Sequence, residues 1–275
     1  MLETKRNSLL YPVSSSVTLF ERIALNIRFT FGFCPVCGHL TIFGPWCANF
    51  RETGYCLRCR AFNRQRQMAY MICKVVSQQT GKTVRTLSDL SKFPLLIYNT
   101  EASGALHRSL YKALGSRLFY SEYFGPQYQS GELVGSTRHE DLCALSYPEN
   151  SFDIVLTSDV LEHVYDPYLA LKNIYNVLKV GGVHIFTVPF HQTEYVDEVV
   201  AIPDEHHRPQ FLGEPIYHLD PIHPEGAPVF TIFSLELLIK LWYIGFRTQM
   251  WLLYAPMYGI LGSNALVFVS EKVGR

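Results

Sequence analysis

His139–Phe190 reads HEDLCALSYPENSFDIVLTSDVLEHVYDPYLALKNIYNVLKVGGVHIFTVPF. Phe152–Thr157 is a short run of apolar residues bounded by polar ones, the pattern of a buried strand. Leu161–Leu178 then places Leu161, Val164, Leu169, Leu171, Ile174 and Val177 largely on one side, as a helix requires. Gly181-Gly182 is expected to stop that helix, and Val183–Val188 to form the next strand. A strand, a covering helix and a second strand make one crossover unit of a parallel sheet.

The same alternation continues outward from Lys92. Leu95–Tyr98 reads as a first strand, Gly104–Leu114 as a helix and Leu118–Glu122 as a second strand ending on an acid. Downstream, Ser234 is positioned to cap a helix running to Tyr243, and Arg247–Leu253 and Ala265–Ser270 read as a closing antiparallel hairpin. The class is α/β, and ligands of such sheets bind beyond the carboxyl ends of the strands. Glu122 there is either a plain exposed acid or a carboxylate that accepts both hydroxyl hydrogens of a ribose. Asp141 with the Leu142 amide offers an acceptor and a donor to the edge of an adenine.

The run D-L-x-x-L-x-Y-P-x-x-S-F-D, the L-E-H-V helix start and the V-L-K-x-G-G turn together resemble the class I S-adenosylmethionine-dependent methyltransferases. The whole chain is similar to a subgroup with a cysteine-knuckle N-terminal segment ending in C-x-x-C-R, and YHLDPIHPEGAPVFTIFS followed by GF matches its C-terminal portion. The resemblance implies a Rossmann-like, mostly parallel sheet with a C-terminal antiparallel hairpin, plus a small N-terminal zinc ribbon. It also implies that Glu122 holds the ribose, Asp141 and Leu142 the adenine, and that Ser158 lies beneath the methionine portion. The first loop departs from the pattern: Asn99-Thr100-Glu101-Ala102-Ser103-Gly104 keeps a single glycine where the family has several. Either Asn99, Glu101 and Gly104 still serve the cofactor, Glu101 receiving the methionine ammonium, or cofactor affinity is weakened or lost.

Five of the seven cysteines lie between Cys34 and Cys59. Cys34-x-x-Cys37 and Cys56-x-x-Cys59, eighteen residues apart, have zinc-ribbon spacing, because two intervening residues let one turn aim both sulfurs at one ion. Free or disulfide-bonded cysteines are the alternative. Gly38 supplies the positive φ that a knuckle needs. Cys47 is spare, and Cys73 and Cys143 fit as small buried apolar residues. Arg64 and Arg66, opening an apolar-periodic run over Met68–Val76, either contact phosphates or simply solvate the helix or cap ribbon carbonyls. The expected organisation is an extension over 1–30, the ribbon over 31–66, a linking helix and linker over 67–91, and a methyltransferase domain over 92–275 with a lid insertion at about 191–230.

Composition bounds the partners. Hydrophobic residues make up 48% and charged residues 17%, enough for a sizeable core, and Lys+Arg 24 balance Asp+Glu 24. A net charge of zero exerts no overall pull on nucleic acid or anionic lipid. Glu21, Arg22 and Arg28 interrupt the N-terminal apolar run, and no cleavage site of small residues follows the basic start. A cytoplasmic protein without a membrane span is expected. Five of ten histidines fall between His191 and His223, in the segment that usually covers the methyl acceptor. His191, directly after Val188-Pro189-Phe190, is the candidate base. His206, His207, His218, Asp220 and His223 are chemically suited to metal, but their spacing is irregular, and the prolines from Pro203 to Pro228 suit a rigid acceptor lid.

Three functions remain from the sequence: methyl transfer to a small-molecule or glycan-like acceptor; RNA methylation with Arg58, Arg60, Arg64 and Arg66 guiding the nucleic acid, as in ribosomal RNA guanine methyltransferases that also carry a cysteine-rich N-terminal module; and a non-catalytic module with a degenerate cofactor site. The acceptor and the oligomeric state are not specified by any motif.

Overall fold

A computed structural model of the chain describes residues 24, 26–219, 225–262 and 265–274. Met1 to Ile23, together with Asp220, His223 and the prolines Pro221 and Pro224, lie outside the described residues. Two compact units form: residues 1–95, 103–118 and 250–267 in one, and 96–102, 119–249 and 268–275 in the other. No helix among the described residues is long and apolar enough to cross a membrane.

The first unit opens on an antiparallel hairpin, β1 (Thr30–Cys34) and β2 (His39–Phe43), with Cys34 paired to His39 across its turn. Helix α1 (Asn63–Thr80) starts five residues earlier than the apolar period at Met68 suggests. Its first turn is buried rather than solvated: the Asn63 amide donates to Phe50 O at 2.9 Å and Leu261 O at 2.7 Å. A left-handed Gly81 ends it. Helix α2 (Gly104–Leu114) coincides with its sequence expectation. The stretch between the last two strands packs here too, its Tyr258 ring against Phe33 and Tyr70 at 6.1 and 5.2 Å. Gly259 at φ 63 lies so close to the Phe43 ring that a Cβ would approach it to 2.6 Å.

The second unit is built on a six-stranded sheet of β3 (Ile97–Asn99), β4 (Leu118–Tyr120), β5 (Phe152–Ser158), β6 (Leu178–Thr187), β7 (Phe246–Leu252) and β8 (Leu266–Lys272), in the order β7-β8-β6-β5-β3-β4. β3 and β5 pair in parallel, as do β5 and β6, whereas β8 runs antiparallel to β6. This is the mostly parallel, Rossmann-like sheet with an antiparallel closing strand that the alternation implies. Helix α4 (Glu236–Ile244) precedes β7.

Two boundaries differ from the sequence reading. After β5 the chain makes only a 3-10 turn at Leu161–His163, and the helix, α3 (Pro167–Val177), begins six residues late. Asp166 accepts from Leu169 N at 2.9 Å and Pro167 occupies the first helical position, a start signal that outweighs the apolar period. Gly181-Gly182 does not end the helix but sits inside β6. Leu178 and Val183 pair with Phe152 and Ile154, so five steps on β6 oppose two on β5 in a bulge. A Cβ on Gly182 would lie 2.8 Å from Lys179 O, a contact only glycine avoids.

His184 on β6 is fully buried, its Nε2 2.9 Å from Thr157 Oγ1 and its ring stacked on Phe186. Burial lowers its pKa to about 3 from an ordinary 6.5. The unfolded chain therefore binds a proton that the native one refuses between those values, so stability is retained above pH 6.5 and lost as pH falls through that window. From pH 7 to 5 the unfolding free energy should drop by about 2 kcal/mol through this group alone. In His184→Gln the urea-unfolding free energy should show that much less pH dependence; an unchanged slope would remove His184 as the cause.

Candidate cofactor site and cysteine cluster

The second unit holds six of the sequence-predicted cofactor residues: Asn99, Glu101, Glu122, Asp141, Leu142 and Ser158. Asn99, buried at the end of β3, donates its amide to Glu101 O at 2.6 Å and thereby tightens the first loop. That loop turns the Ala102 N–H onto Glu122 Oε1 at 2.8 Å. The Glu122 backbone is in turn clasped by Arg138 O and Glu140 N, which lays the His139–Asp141 segment alongside it. Asp141 caps the 3-10 turn at Leu142–Ala144 by accepting from Cys143 N at 2.8 Å, and its other oxygen lies 3.3 Å from the Tyr165 hydroxyl. Burial raises the Tyr165 hydroxyl well above its ordinary value, so it stays a donor. Leu142 is buried, and its carbonyl accepts from Asn173 at 3.0 Å. Ser158 is buried at the end of β5, beside a left-handed Asp159 whose carboxylate accepts from Thr187 Oγ1 at 2.9 Å. These contacts bring Glu122, Ala102 and the 139–142 segment together. Gly104 opens α2 in the first unit, where a Cβ would come within 2.9 Å of Gln65 Nε2.

His191 is half-buried at the end of the Val188-Pro189-Phe190 run, its amide donating to Phe233 O at 2.8 Å. Its Nε2 is a buried atom with no hydrogen-bond partner among the described residues. The following segment forms two-residue and three-residue ladders instead of a helix, as its prolines dictate. Within it the histidines part company. His206 is exposed, His207 stacks on Tyr165 at 4.0 Å, and His218 meets His163 at 3.2 Å. Of the aromatic residues Tyr195, Tyr217 and Phe230 in this segment, only Phe230 is buried; Tyr195 and Tyr217 face solvent.

In the first unit the two knuckles converge. Cys34 Sγ lies 3.7 Å from Cys59 Sγ, and Cys37 Sγ 3.9 Å from Cys56 Sγ. A tetrahedron with Zn–S bonds of about 2.3 Å has edges of about 3.8 Å, so the four sulfurs stand where one zinc ion would hold them. Each knuckle closes with an amide-to-cysteine-carbonyl bond of 2.8 Å, from Gly38 to Cys34 O and from Arg60 to Cys56 O. Gly38 has φ 74, and Arg60 takes the equivalent left-handed φ of 67 with its guanidinium 5.3 Å from the Tyr55 ring centre. Hydrogen bonding with Cys37 raises the Cys34 thiol, while hydrogen bonding with Cys34 lowers Cys37 to about 6. All seven cysteines are free of disulfides; Cys47 is exposed, whereas burial pushes Cys73 and Cys143 up to about 12, leaving them as inert packing groups.

The arginines after the second knuckle take different places. Arg66 is fully buried, its Nη2 donating to Gly259 O at 2.7 Å and its guanidinium 4.3 Å from the Phe43 ring centre. Burial lowers its pKa to about 10 against the opposing pull of the cysteine thiolates. Arg64 pairs with Glu52 at 2.8 Å, and Arg58 and Arg60 remain exposed. Arg66 is thus removed from the set that could reach phosphates.

Residues 103–186 match a family described as a methyltransferase domain. No curated protein matches the chain. Among solved structures it is similar to an S-adenosylmethionine-dependent methyltransferase from Methanosarcina mazei, at 15% identity over 65% of this chain and 92% of that one, with a TM-score of 0.35. A second, from Mesorhizobium loti, is 14% identical over 64% and 90% with a TM-score of 0.36. YcgJ from Bacillus subtilis is 12% identical over 68% and 98%, with a TM-score of 0.34.

Proposed function

We propose that the chain, whose residues 103–186 match a methyltransferase domain, transfers a methyl group from S-adenosylmethionine to a small-molecule or glycan-like acceptor. The observation that carries this reading is the Glu122 carboxylate, held at the strand ends by the first-loop amide of Ala102. One Glu122 oxygen accepts that amide, and a carboxylate is the group type that would accept the hydroxyl hydrogens of a ribose there. Asp141 and the Leu142 amide would read the adenine, and Ser158 would underlie the methionine portion. Asn99, Glu101 and Gly104 belong to the loop that would pass the methionine end, with hydrogen bonds inside the loop taking the place of the missing glycines. The bound cofactor supplies an electrophilic sulfonium methyl; the protein's part is to orient the acceptor, exclude water and take up a proton.

His191 Nε2 is the atom proposed for that last task. With an acceptor found by screening, His191→Ala should lower kcat by roughly 100-fold, the ordinary worth of a positioned base, and leave S-adenosylhomocysteine affinity unchanged. An unaltered kcat would make His191 a loop-packing residue. Cys34, Cys37, Cys56 and Cys59 are proposed to hold a structural zinc ion, since four thiolates leave no open position for chemistry.

A balanced net charge and the burial of Arg66 support a non-polymeric acceptor. Calorimetric titration with S-adenosylmethionine and S-adenosylhomocysteine tests the cofactor half of the proposal, and RNA binding at two salt concentrations tests the acceptor half. RNA affinity falling steeply with salt would replace the small-molecule reading with RNA methylation.

A further inference from the structure

The turn that follows β5 carries a cluster with no part in the cofactor contacts above. Glu162 and His163 lie in the 3-10 turn Leu161–His163, and His218 arrives from the ladder Tyr217–His218. Three ligand atoms face one another: His163 Nε2 and His218 Nδ1 are 3.2 Å apart, and each is 3.7 Å from Glu162 Oε1. The circumscribed circle of a triangle with these edges has its centre about 2.1 Å from every corner, the usual Zn–N and Zn–O distance. Distances of 3.7 Å are too long for hydrogen bonds from the imidazoles to the carboxylate. They suit ligands that share an ion.

The outer contacts point the same way. His163 Nδ1 lies 2.8 Å from Pro228 O, and a carbonyl only accepts, so that nitrogen carries a proton and, in the neutral imidazole, Nε2 presents its lone pair inward. A metal-bound histidine is ordinarily oriented by such a bond from its other nitrogen. The Glu162 backbone carbonyl accepts from Phe230 N at 2.7 Å, tying the turn to the strand-like stretch that also supplies Pro228. The Glu162 side chain is fully buried, a setting in which a carboxylate is held by a cation or by hydrogen bonds.

We infer that Glu162, His163 and His218 form a site for a zinc-class divalent cation, separate from the cysteine ribbon. Nitrogen and carboxylate ligands select transition metals over magnesium or calcium. A zinc-class ion ordinarily takes four ligands, and these residues would supply three of them. The inference stands on the geometry of this cluster and does not depend on methyl transfer.

The test is metal titration of the full chain with zinc and, separately, with cobalt(II). Zinc-loaded wild-type protein should hold two equivalents, one in the ribbon and one here. Cobalt should give thiolate charge-transfer bands from the ribbon and a second set of ligand-field bands without them. Glu162→Gln and His218→Ala should weaken only the second equivalent, by on the order of 100-fold or more, with the thiolate bands intact. A single equivalent in wild-type protein, all of it thiolate-bound, would overturn the site and leave an ordinary hydrogen-bonded histidine pair. So would variants that bind the second equivalent as wild type does. Wild-type stoichiometry decides even if a variant fails to fold. S-adenosylhomocysteine affinity, measured in parallel, reports on the cofactor site alone.

Discussion

If the four cysteines hold the proposed zinc ion, removing it from the full chain with a chelator, or replacing Cys56 by serine, should unfold the cysteine ribbon. The sulfur edges of 3.7 and 3.9 Å are compatible with thiolates only when a cation separates them, because four negative charges at that spacing repel strongly. The hairpin β1–β2 is only ten residues of strand and exposes Phe31 and Leu40, so it has little core of its own. Structural zinc in small domains contributes an apparent binding free energy of roughly 10–16 kcal/mol, and most of the ribbon's order should depend on it. Thiol reactivity gives the readout. In zinc-loaded protein the exposed Cys47 should react first; after chelation the four ribbon thiols should join it, and a low-temperature melting phase should appear. If metal-free protein, verified by elemental analysis, keeps those four thiols protected and melts as before, the ribbon is held by its packing alone.

Glu122→Ala should raise the dissociation constant for S-adenosylhomocysteine by about 100-fold. Two hydrogen bonds to a carboxylate account for about 3 kcal/mol, and each 1.4 kcal/mol is tenfold in affinity. The substitution also removes the acceptor for the Ala102 amide, loosening the first loop on which the methionine end would rest. Glu122→Gln keeps the shape and one good acceptor and should lose about tenfold. Calorimetry on both variants decides the matter. Equal affinities in wild type and Glu122→Ala would show that the ribose is held elsewhere. Absence of binding to folded wild-type protein would show that the glycine-poor first loop has cost the site its cofactor, which is the degenerate-module alternative.

How far the chain could be read beforehand varied with the range of the interactions involved. The order of strands and helices was readable because apolar periodicity is local, and helix α2 was placed to the residue for that reason. The cysteine knuckles were readable because each cysteine pair has just two residues between its members. The late start of α3 was also written locally, in Asp166-Pro167, but the apolar spacing from Leu161 masked it. Gly181-Gly182 misled more seriously, since the same pair that breaks a helix also permits a bulge, and only the facing strand β5 decides between them.

Chain order alone thus specified an α/β sheet, a four-cysteine ribbon and a set of acids at strand ends, all carried by patterns a few residues long. Tertiary structure decided the rest. It buried Arg66 under the 250–267 stretch and set Glu122 against the Ala102 amide. It also brought His218 to His163 across fifty-five residues. No local pattern encodes those meetings, because a contact between distant segments depends on the geometry of the elements that carry them and not on the spacing of the residues that meet.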